Sequence, residues 1–125
     1  MGKAKIDGAV GAAAVDAIAA DGFDDASRET RATAVRYLLQ VLADRAVGNS
    51  VEVRVPPFGA VQCIEGPGHT RGTPPNVVEM DARTWLDLAT GVLSWRDGIA
   101  AARIHASGQR ADLTGYVPLA GFRRP

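Results

Sequence analysis

Cys63, His69 and His105 are the residues of this chain whose types suit nucleophilic, acid–base or metal chemistry near neutral pH. A catalytic thiol needs a neighbouring base and an electropositive, partly exposed setting. Nothing near Cys63 in sequence supplies one, and its alternating surroundings read it as a small buried hydrophobe. One cysteine and two histidines also fall short of the ligand count of a structural zinc site. His105 alternates with Ile104 and Ala106 and falls, with Arg103, on the polar side of a strand pattern, which reads it as a solvated surface residue. The adjacent carboxylates Asp24 and Asp25 lie in a polar linker, and no nucleophile–base order, phosphate loop or metal spacing emerges. The reading is therefore of a protein that is not an enzyme, with no catalytic residue, no metal and no cofactor.

Two stretches remain that could hold a ligand. The loop GPGHTRGTPPN, residues 66–76, carries His69 and Arg71 among glycines whose backbone N–H groups can form an anion nest. Together they suit the carboxylate or phosphate head of an amphipathic molecule. The alternative is a loop that only crosses the end of a sheet, with Arg71 paired to Glu65 or Glu79. The other stretch is TWLDLATGVLSW, residues 84–95, which holds both tryptophans of a chain that is 6% aromatic. Trp85 and Trp95, with Leu88, Val92 and Ile99 at helical spacing, either wall an apolar cavity or fill a core. A small enzyme using His69 and Arg71 is a third reading that the loop composition leaves open.

Composition narrows the partners. With 14 basic and 14 acidic residues in 125, and a pI near 6.7, the chain has no excess charge with which to hold a phosphate backbone, so nucleic acid is excluded. A chain of this length buries roughly two thirds of the surface that it exposes unfolded, enough for one real core. The lone cysteine makes no intrachain disulfide and suits a reducing compartment. The Ala-rich start is interrupted by Asp7 and Asp16, which argues against an export signal, and no apolar run approaches about 18 residues. The expected location is cytoplasmic, with no transmembrane segment.

The elements that must position these residues follow from periodicity. Ile6, Val10, Ala14 and Ile18 make a thin helical stripe weakened by Gly8 and Gly11, an N-terminal arm over about residues 1–25. A stronger helix begins near Thr30, with Ala34, Val35, Leu38, Leu39 and Leu42 on one face and Arg36, Gln40 and Asp44 opposite. Val51, Val53 and Val55 then alternate with Glu52 and Arg54 as a half-buried strand. FGAVQCIE pairs with it as a hairpin through the Pro56-Pro57-Phe58-Gly59 turn. VVEM is a further strand. Asp81 caps a helix that Gly91 ends, Ser94 caps a second, and RIHAS is another strand. The sum is one α+β domain over residues 1–125, with helices gathered to one side of a mainly antiparallel sheet.

Residues 77–119, VVEMDARTWLDLATGVLSWRDGIAAARIHASGQRADLTGYVPL, resemble the second half of the sterol carrier protein domain, a lipid-transfer fold. The likeness is one of ordered parts: a strand ending in Asp81, a helix with Trp85 and Leu88-Ala89, Gly91, a second helix with Ile99-Ala100, then Ile104, Gly108 and Leu113. Residues 53–81 resemble a bacterial branch of that family. The resemblance implies a curved five-stranded, mainly antiparallel sheet with helices on one face. It also implies an apolar tunnel for a fatty acyl or sterol-like lipid, walled by Trp85, Leu88, Val92, Trp95, Ile99 and Phe58, with His69 and Arg71 at its mouth. A related branch forms the C-terminal domain of mycothiol-dependent maleylpyruvate isomerases. It implies the alternative of a ligand-free accessory domain that docks on a protein partner or on a second copy.

Overall fold

The computed structural model describes residues 5–67 and 76–123. Among them run α1 (Gly8–Asp21), α2 (Arg28–Arg45), β1 (Val51–Val55), β2 (Gly59–Cys63), β3 (Val77–Met80), α3 (Ala82–Thr90), α4 (Trp95–Ala100) and β4 (Ile104–Ser107). The helices start where side chains can satisfy their first free N–H groups. Asp7 accepts from Ala9 and Val10, Ser27 from Thr30, Asp81 from Thr84 and Ser94 from Asp97. Gly91 ends α3 in the left-handed region at φ +82°, a conformation that a Cβ would penalise. Burial pushes the Asp81 carboxyl upward, and the Thr84 hydrogen bonds with the charges of Arg103 and Arg83 outweigh it, leaving the group below its usual range.

The strands form an open sheet in the order β2-β1-β3-β4. β1 and β2 are the expected antiparallel hairpin, Val53 opposite Val61, and β3 and β4 are also antiparallel. The central pair departs from expectation: β3 runs parallel to β1, with Val53 beside Val78. The sheet is therefore mixed, and a fifth strand is not found among the described residues. Asn76 explains how β3 enters at this edge. It is buried, its carbonyl accepts from Glu52 N–H at 2.9 Å, and its side chain donates to Ser50 O and accepts from Arg110 N–H. Every polar atom thus named has a partner, so one amide fixes the starts of both strands and the chain beyond β4.

Val51, Val53, Val55, Val78 and Met80 bury one sheet face against Ala34, Val35, Leu38 and Leu42 of α2. Glu52 and Arg54 pair on the opposite face, as alternation requires. α3 adds Trp85 and Leu88, both with zero exposure. α1 lies on α2 through Gly11, where a Cβ would overlap the Tyr37 ring. Gly11 is thus the site of close approach.

Cys63 is fully buried, and that burial pushes its thiol up to about 11. At pH 8 the folded thiol is then ionised about a hundredfold less than an ordinary one. Dithionitrobenzoate is expected to label the native protein roughly a hundredfold more slowly than the urea-unfolded chain; equal rates would place the thiol at the surface. The sign for stability follows. The unfolded chain releases this proton first, so the contribution is complete below the ordinary cysteine range and is lost as pH rises through about 11.

Candidate functional site

A groove of about 610 Å³ lies between α2 and the outer side of the β1–β2 hairpin. One wall is α2, whose Thr33, Arg36, Gln40 and Ala43 recur at spacings of three and four and so share a helix face. The other wall is made by four consecutive residues, Phe58, Gly59, Ala60 and Val61. Ala60 and Val61 are successive residues of β2 whose side chains point to opposite faces, so a groove that touches both runs along the strand's edge, not over one face. Ile6 adds apolar surface, and the buried Leu39 lies beneath it.

Polar contacts hold this shape. The Gln40 amide donates to Ile6 O at 3.0 Å and accepts from Ile6 N–H at 2.9 Å, which ties the segment before α1 to α2. Lys5 pairs with Asp44 at 3.2 Å, an exposed bridge of small energetic weight. Arg36 Nε donates to Phe58 O at 2.7 Å, joining the two walls, and Arg28 stacks over the Phe58 ring at 5.3 Å. Neither arginine has a carboxylate partner among the described residues. The groove therefore carries Arg36 at its Phe58 end, with Ile6, Ala43 and Val61 as apolar lining and Thr33, Gln40 and the Lys5–Asp44 pair as polar lining, a combination suited to a molecule with an anionic head and an apolar body.

The residues expected to line one tunnel are distributed over the molecule. Phe58 lies in the groove just described. Trp85 and Leu88 have zero exposure, so no space of water size touches them; the Trp85 Nε1–H donates to Val35 O at 3.3 Å. Val92, 63% exposed, borders a hollow of about 150 Å³ with Phe23 between α1 and α3. Trp95 is half-buried and borders another of about 280 Å³ with Arg96 and Arg123. Ile99 is exposed beside β3 and β4. His69 and Arg71 lie outside the described residues. Of the groove residues sequence reasoning named only Phe58 as a site residue; Arg36, Gln40 and Asp44 were assigned to the polar side of α2 and Leu39 to its apolar face, and none of them was assigned to a site. The signal available was the polar face of α2, with apolar Ala43 interrupting it.

Among the described residues no three His, Cys, Asp or Glu side chains lie close enough to hold a metal ion. No helix among them is long and apolar enough to cross a membrane. A small α+β domain with a mixed four-stranded sheet, packed helices and an amphipathic groove defines the class. The chain matches the family described as bacterial SCP ortholog over residues 27–119 and belongs to that bacterial sterol carrier protein family. The match begins at the Ser27 cap of α2 and so takes in both walls of the groove. A comparison with curated proteins finds no match for this chain.

Proposed function

We propose that the protein is a non-catalytic binder and carrier of an amphipathic lipid, and that the lipid lies in the groove between α2 and β2 with its anionic head at Arg36. Family membership supports lipid binding in general, and the groove carries the finer reading. Its volume falls within the range of about 300–1,000 Å³ typical of small-molecule sites. Its course along one helix face and one strand edge suits an extended acyl chain. The driving force is removal of methylenes from water, about 0.8 kcal/mol for each one buried.

The test is titration with a fluorescent fatty acid, comparing the natural chain with Ala43→Trp, which fills the groove from the α2 side. Ala43 is half-buried, so the change leaves the core intact. An indole that displaces about three methylenes lowers affinity roughly fiftyfold, while the unfolding midpoint stays close to that of the natural chain. Unchanged affinity in a folded Ala43→Trp protein would remove the lipid from this groove. No uptake by either protein at micromolar lipid would sink the carrier reading itself.

A further inference from the structure

The edge of β2 adds a requirement that a plain acyl chain does not meet. Backbone groups alternate sides along a strand, and Glu52 N–H points to β3, where it donates to Asn76 O. Val51, Val53 and Val55 therefore turn their backbone groups toward β2, opposite Cys63, Val61 and Gly59. The intervening Ala60 and Gln62 turn theirs outward, and among the described residues no strand pairs there. Ala60 lines the groove. A ligand lying along this wall strips water from the Ala60 N–H and C=O, and leaving such groups unpaired is costly.

Resting on the lipid reading of this groove, we propose that the ligand is an N-acyl amino acid, an acyl chain joined through an amide to an α-amino acid with a free carboxylate. Each of its parts has a counterpart in the groove. The acyl chain lies on Ile6, Ala43 and Val61, the half-buried apolar residues of the groove. The ligand's amide N–H donates to Ala60 O, and its carboxyl end accepts from Ala60 N–H, as one residue of an added strand would. The carboxylate also meets Arg36, whose Nε is held by Phe58 O and whose other nitrogens have no partner among the described residues. A fatty acid of equal chain length offers the tail and the charge without the amide.

The experiment displaces a bound fluorescent fatty acid from the full chain with palmitate, N-palmitoylglycine and N-palmitoylsarcosine, the last being the glycine compound with its amide N–H methylated. The expected result is that N-palmitoylglycine competes about tenfold more tightly than palmitate and that methylation removes the advantage. Ala60→Pro deletes the protein's outward N–H at an edge position where proline is tolerated, and it should also narrow the gap between N-palmitoylglycine and palmitate. Should that variant fail to fold, the sarcosine comparison on the natural chain decides. Palmitate and N-palmitoylglycine competing equally, or the sarcosine compound competing as well as the glycine one, overturns the inference and leaves the lipid reading standing. Competition by none of the three overturns both.

Discussion

Replacing Trp85 with alanine lowers the free energy of unfolding by about 3–5 kcal/mol. The indole has zero exposure on the inner face of α3, beside α2, and its Nε1–H donates to Val35 O. Truncation removes the largest fully buried side chain of the protein and leaves a void between two helices that their caps hold in place. A domain of this size has a total stability of about 5–15 kcal/mol, so the loss is a large part of the whole. The matching change at Trp95, half-buried on the short helix α4, costs about 1 kcal/mol or less. Urea titrations followed by far-ultraviolet circular dichroism separate the two, with the midpoint falling at constant slope for Trp85→Ala. Equal midpoints for the two variants would mean that Trp85 borders a cavity able to absorb the change.

Gly48→Ala has the second large effect, from the smallest possible side chain. Gly48 sits in the link from α2 to β1 at φ +154°, and a Cβ there would overlap the backbone carbonyl of Ile64 and the N–H of Glu65. Those atoms cannot rotate away as a side-chain tip could. Ile64 is pinned: its N–H donates to Ala46 O, and its carbonyl accepts from both the N–H and the hydroxyl of the fully buried Ser50. Ile64 itself stands at φ 67°, unusual for a β-branched residue, and this clamp holds it there. An alanine at 48 must push the link off the end of β2, at an expected cost of about 3 kcal/mol. Because this link carries α2 into the β1–β2 hairpin that supplies the other wall of the groove, affinity for a fluorescent fatty acid is expected to fall along with the thermal midpoint. A Gly48→Ala protein with natural stability and affinity would show that the junction is not tight.

These two positions also mark how far the sequence could be read. The local elements were legible because they follow from neighbours: the Val51-Val53-Val55 alternation, the Asp81 and Ser94 caps, and the Gly91 stop all stand where their chemistry requires. Direction was not legible. Periodicity says that VVEM is a strand but not which neighbour it joins, and the parallel match of β3 to β1 depends on Asn76 reaching Ser50 across 26 residues. The groove was hidden for a related reason. Arg36, Gln40 and Asp44 read correctly as the polar side of α2, yet a polar helix face becomes a binding wall only when a strand edge lies beside it, which is a matter of tertiary placement. Residue type alone could not divide the tryptophans: both are large and apolar, and only the fold puts Trp85 inside and Trp95 at a hollow near the surface.

That division gives the protein two optical reporters in unlike surroundings. Trp85, dry and held by a carbonyl, keeps its emission until the core itself opens. Trp95 is in partial contact with water, with Arg96 and Arg123 nearby, and its emission answers to local events at the turn between α3 and α4. A red shift of the whole spectrum therefore marks loss of the fold, whereas a change in only the long-wavelength part marks a disturbance at that turn with the interior still closed.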